Sequence, residues 1–84
     1  MLHFAVLYTV LEVITILYKR IRELREDHDL TQAKMAEVLH CSQQVYSNYE
    51  LGQRDVPTDI LRRLSLYYHV STDYILELTD DLKE

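Results

Sequence analysis

Three hydroxyl residues, Thr31, Ser42 and Ser71, each stand directly before a short segment whose apolar residues recur at helical spacing. A Ser or Thr in that place accepts a hydrogen bond from a first-turn N–H that the helix itself leaves unpaired, so each marks a helix start. Thr31 opens Gln32 to Leu39, with Met35, Ala36 and Leu39 on one face, and Ser42 opens Gln43 to Leu51, with Tyr46 and Tyr49 inward. Gly52 stops the latter as a left-handed C-cap. Pro57-Thr58 then starts a helix carrying Leu61, Leu64, Ser65 and Tyr68 on one face, and Ser71 caps a short last one with Ile75 and Leu78 inward. Upstream, Leu17, Ile21 and Leu24 recur at i, i+4, i+7 and mark an amphipathic helix running to about His28. From residue 17 onward no strand pattern competes, and the expected fold is all-α, a compact five-helix domain.

With 84 residues there is room for one domain and one modest core, and a single Gly and a single Pro leave no linker or low-complexity stretch. The lone Cys41 cannot form an internal disulfide and is read as a small packed residue in a turn. The four histidines lack the spacing of a metal site. No glycine-rich phosphate loop and no nucleophile elbow occur. No catalytic residue, metal or cofactor is expected, and the setting expected is a reducing cytoplasm.

A net charge of −5 at first argues against a polyanionic partner. Its distribution changes the reading. Residues 55–84 carry −4 and residues 19–34 carry +1, with Lys19, Arg20, Arg22 and Arg25 clustered in seven positions, so a local positive face is compatible with the total.

The helices Gln32 to Leu39 and Gln43 to Leu51, joined by a three-residue turn, have the shape of a helix-turn-helix. Leu30-Thr31-Gln32, Ala36, Ser42, Tyr49-Glu50 with Gly52, then Pro57 and Val70-Ser71 with Asp73, fall together as they do in one known family. Over roughly residues 17–78 the chain resembles the Cro/repressor-type (XRE family) helix-turn-helix domain. The resemblance implies a lambda-repressor-like DNA-binding domain at 17–78, followed by an acidic tail at 79–84.

The family's second helix enters the major groove, and the resemblance puts Gln43, Gln44, Ser47 and Asn48 on base edges. A carboxamide offers one donor and one acceptor and can pair bidentately with adenine, although the same four side chains would also solvate an exposed face. By the same resemblance Gln32 contacts a DNA phosphate from a helix N-terminus; Lys34, Ser42, Gln53 and Arg54 are expected to add phosphate contacts from the adjoining helices and loop, although exposed polar side chains stand in such places by default as well. Arg25 and Glu50 fall where the family often has an ion pair tying the first helix to the end of the recognition helix. His40 stands where glycine is commonest, at a turn position that tends to positive φ. Tyr46 and Tyr49 enlarge the core beneath the recognition helix, and their hydroxyls need partners.

Residues 1–16 precede the family pattern and are almost wholly apolar. They lack the basic start of a secretory signal, and residues 2–18 reach only the lower length of a membrane span and contain Glu12, so membrane attachment is not the reading adopted. One helical register serves this segment and the first helix, whereas its β-branched residues also suit a strand. Either form leaves an apolar surface for a protein partner. The expected function is a sequence-specific double-stranded DNA-binding transcriptional regulator, acting as a homodimer joined through residues 1–16 on a two-fold operator. The competing reading is a protein-interaction module, antitoxin-like, using that apolar segment.

Overall fold

A computed structural model describes residues 18–82. The segment 1–16, expected as helix or strand, lies outside them. Five helices follow in order: α1 Lys19–Asp27, α2 Gln32–Leu39, α3 Gln43–Glu50, α4 Thr58–Tyr68 and α5 Thr72–Ile75. There is no strand among the described residues. α2 packs on α3 and α4, while α1 packs on α3 and α5 and so closes the bundle.

The three hydroxyl caps act as their positions predict. Thr31 Oγ1 accepts from the Lys34 N–H at 3.0 Å, Ser42 Oγ from Val45 at 3.1 Å, and Ser71 Oγ from Tyr74 at 2.9 Å. α1 begins at Lys19, and Leu17, from which the spacing starts, lies outside the described residues. Tyr18 lies outside helical geometry, at φ −117° and ψ 26°, and has a task of its own. Its buried ring joins the core, while its hydroxyl donates to Asp55 Oδ1 and accepts from the Val56 N–H, pinning the α3–α4 loop to the head of α1.

Fully buried Tyr46, Ile21, Met35, Leu39, Leu64 and Ile75 form the centre of the core, drawn from all five helices. Two inward assignments need correction. On α4 the buried positions are Ile60, Leu64 and Tyr68, with Leu61 and Ser65 only half-buried, because the inner stripe follows i, i+4, i+8. Leu78 is 73% exposed rather than inward. α5 ends at Ile75, and Glu77 at φ 62° turns the chain away before residue 78.

Left-handed residues follow every helix: Asp29, His40, Gly52, His69 and Glu77 have φ between 55° and 71°. Behind α2, the His40 N–H donates to the Glu37 carbonyl and the Cys41 N–H to the Ala36 carbonyl, the paired bonds of a Schellman closure. Asp29-Leu30, Gly52-Gln53 and Glu77-Leu78 repeat it. The positive φ expected at His40 is observed, at 56°. Only one of the five positions is glycine.

Candidate nucleic-acid interface

The turn between α2 and α3 is short because each end is closed independently. His40 and Cys41 satisfy the last carbonyls of α2, and Ser42 caps α3 one residue later. Arg63 of α4 adds a bond from Nη1 to the Leu39 carbonyl at 3.3 Å, holding α4 to the end of α2. The angle between α2 and α3 is thus set by backbone bonds and by the packing of Met35, Ala36, Leu39 and Tyr46.

With Tyr46 and Tyr49 directed into the core, the opposite side of α3 faces outward: Gln43 and Gln44 are exposed, Ser47 and Asn48 half-exposed. Gln32, at the start of α2, joins Gln43, Gln44 and Ser47 in lining an open notch of about 350 Å³. Four of the expected DNA-contacting side chains therefore form one concave polar surface. Asn48 stands one turn further along, its Oδ1 accepting from Gln44 Nε2 at 3.2 Å.

Beneath this surface is a buried charge. The Glu50 side chain is 2% exposed and its Arg25 partner 14%. Arg25 Nε donates to Glu50 Oε2 at 2.6 Å and Arg25 Nη2 to Oε1 at 3.3 Å, while Nη1 donates to the Leu30 carbonyl at 2.9 Å. Gln32 Nε2 adds a third bond to the carboxylate, 3.0 Å from Oε1. Burial by itself would raise the Glu50 carboxyl, but the bonds from Arg25 and Gln32, with the adjacent Tyr46 hydroxyl and the Arg25 charge, outweigh it and hold the group below its ordinary value. The bond to Glu50 correspondingly raises Arg25, against a smaller opposing effect of burial. The expected Arg25–Glu50 pair is present, and it ties α1, the α1–α2 loop, α2 and the end of α3 into one unit. Gln32 belongs to that unit, and its amide nitrogen is engaged inside the protein.

The remaining positions differ in what they leave free. Ser42 uses its oxygen as acceptor for Val45, which leaves its O–H to donate elsewhere. The Lys34 ammonium lies 3.9 Å from Glu37 on an exposed face, a weak tie. Gln53 and Arg54 project from the loop after Gly52, although the Gln53 N–H is engaged in closing α3 through the Asn48 carbonyl. Cys41 is half-buried in the turn, and burial raises its thiol, with the Arg54 charge partly opposing.

The basic cluster of α1 does not form an open positive face. Lys19 pairs with Glu77 at 3.3 Å, Arg20 with Asp80 at 2.6 Å, Arg22 with Glu26 at 3.3 Å and Arg25 with Glu50. Arg20 goes further. Its Nη1 also donates to the Tyr74 and Thr79 carbonyls at 2.8 and 2.6 Å, and its guanidinium lies 4.1 Å from the Tyr74 ring centroid. The start of the acidic tail is therefore docked on α1. Among the described residues, no cluster of His, Cys, Asp or Glu could hold a metal ion, and no helix is long and apolar enough to cross a membrane.

Two short helices set across a tight turn, the second with a polar outward face, define a helix-turn-helix domain. Residues 21–75 match the helix-turn-helix family, and the chain belongs to it, in its Cro/repressor (XRE) form. Similar proteins of Bacillus subtilis (strain 168) include the uncharacterized HTH-type transcriptional regulator YobD, 43% identical over 63 residues, or 75% of this chain and 56% of that protein. The HTH-type transcriptional regulator ImmR is 47% identical over 58 residues, 69% of this chain and 46% of its own. An SPbeta prophage-derived uncharacterized HTH-type transcriptional regulator, YonR, is 33% identical over 61 residues, covering 73% of this chain and 56% of that protein. The chain spans about half the length of these relatives. No solved structure matches.

Proposed function

We propose that the chain is a sequence-specific double-stranded DNA-binding transcriptional regulator with α3 as its recognition helix. The observation that carries this is the notch lined by Gln32, Gln43, Gln44 and Ser47, held rigidly from below by the Arg25–Glu50–Gln32 bonds. A base-reading surface needs carboxamides at fixed orientation on a helix narrow enough for the major groove. Gln43, Gln44, Ser47 and Asn48 read bases. Gln32, Lys34, Ser42, Gln53 and Arg54 fix the register on phosphates, Gln32 through the side of its amide that Glu50 does not occupy. The protein acts as a homodimer on two half-sites about one helical turn apart, with residues 1–16 supplying the apolar contact. Its activity is occupancy of the operator, in the cytoplasm.

Selection from random duplexes with the intact chain tests this. Enrichment of a two-fold motif is expected, lost in Gln43→Ala/Gln44→Ala while weak salt-dependent binding persists. A folded chain that enriches no motif refutes it.

A further inference from the structure

Gln44 and Asn48 do not stand independently on the outward face of α3. Gln44 Nε2 donates to Asn48 Oδ1 across one turn of α3, and both side chains reach the outward face. The Asn48 end is itself fixed, because its backbone carbonyl accepts the Gln53 N–H in the closure of α3. An amide held through its nitrogen has a set plane and polarity. The carbonyl oxygen of Gln44 is left as its open acceptor, and the amino group of Asn48 as the open donor.

We propose that Gln44 and Asn48 read DNA as one linked unit, with Asn48 acting as a positioning residue for Gln44 as well as touching a base itself. The inference rests on the DNA-binding function proposed above. The two amides lie 3.2 Å apart at their bond, close to the about 3.4 Å between stacked base pairs, so the two open groups address neighbouring base pairs. Gln44 Oε1 suits a base carrying an amino group in the major groove, adenine or cytosine. Asn48 Nδ2 suits an acceptor such as purine N7, guanine O6 or thymine O4. A Gln44 released from Asn48 is free to rotate, so its amide no longer presents one fixed edge and its choice of base widens.

The test is selection from random duplexes followed by competition binding for the wild type, Gln44→Ala, Asn48→Ala, Asn48→Asp and the double alanine variant. The base pair read by Gln44 is the one whose preference collapses in Gln44→Ala. Asn48→Ala is expected to broaden that preference. Asn48→Asp keeps an acceptor for Gln44 Nε2, so it retains the wild-type preference there while shifting its own pair toward cytosine. Each alanine variant loses roughly 10- to 100-fold in specific binding, and the double variant loses at least about threefold less than the product of the two single losses. An unchanged preference at the Gln44 pair in Asn48→Ala, or losses that multiply in the double variant, overturns the linkage while leaving DNA reading intact. A wild-type chain that enriches no motif overturns the DNA-reading function and this inference with it.

Discussion

Replacing His69 by glycine should make the domain more stable. His69 follows α4 at φ 58° and ψ 44°, is exposed, and makes no side-chain bond among the described residues. An L-residue in that region costs about 1–2 kcal/mol, somewhat less for His, while glycine loses about 0.5–1 kcal/mol more conformational entropy on folding. The difference leaves a gain of about 0.5 kcal/mol for His69→Gly. Alanine, with neither advantage, should lose about 1 kcal/mol. For a domain of this size, 1 kcal/mol moves Tm by about 4–8 °C, so His69→Gly melts roughly 2–4 °C higher and His69→Ala several degrees lower. Glu77→Gly supplies an internal contrast. Glu77 has the same backbone strain at φ 62° but pairs with Lys19, an exposed bridge worth about 0.2–1 kcal/mol, so its replacement should be close to neutral. Thermal melts followed by far-UV circular dichroism measure all three. A His69→Gly protein less stable than the wild type would refute the reasoning, since it would mean that the imidazole contributes more than its backbone geometry costs.

Other outcomes follow from the buried groups and from the charge pattern. The Glu50 carboxyl is depressed below 4.5 in the folded state, so its contribution is present above that value and is lost as pH falls through the depressed one. Glu50→Gln should remove that acid-side loss from a stability–pH curve while costing about 3–5 kcal/mol at neutral pH, because Arg25 is left buried and unpaired. The Tyr68 hydroxyl is buried with no hydrogen-bond partner among the described residues. Tyr68→Phe should therefore leave denaturant stability unchanged or raise it by up to about 1 kcal/mol, and a clear loss would contradict the orphan assignment. On the proposed DNA-binding function, with the α1 cations in ion pairs and Lys34 held only weakly by Glu37, Lys34 and Arg54 are the cations expected at phosphates, and log K against log salt should have a slope near −2 per chain, with about −0.9 for each neutralised phosphate. Lys34→Ala and Arg54→Ala should each flatten that slope, whereas Lys19→Ala should not.

Features governed by neighbouring residues were readable in advance. The bounds of α2 came from Thr31 and the apolar face it precedes, and α3 ends one residue before the position expected, since Leu51 and Gly52 share its closure. Outward placement of Gln43 and Gln44 follows from Tyr46 and Tyr49 being inward, a matter of helical period. Longer-range features left no local mark. Nothing near Lys19 or Arg20 reveals that residues 77 and 80 pair with them, so the local positive face that four clustered cations leave open is not formed. The bond from Gln32 to Glu50 joins positions 18 apart and depends on how α2 crosses α3. Gln44 and Asn48 are the intermediate case: their i, i+4 spacing permits the bond, but only the structure brings the amides together. Leu78 was misplaced because a helical period was extended past a left-handed residue that has no glycine to announce it.

Lys19 and Arg20 stand near the beginning of the described chain, and their partners at residues 77 and 80 near its end. The two boundaries of the domain thus leave from a single pole. A tension applied between them would not be spread along the five helices but would fall first on this one seam, two ion pairs, two carbonyl bonds and a stacked ring. With the seam parted, α1 is still held by Tyr18 on Asp55 and Val56 and by Arg25 on Glu50 and Leu30, and these bonds must give way before the underside of the core is exposed. Arg20, with three of the seam's bonds and the ring contact, is the residue on which that seam turns.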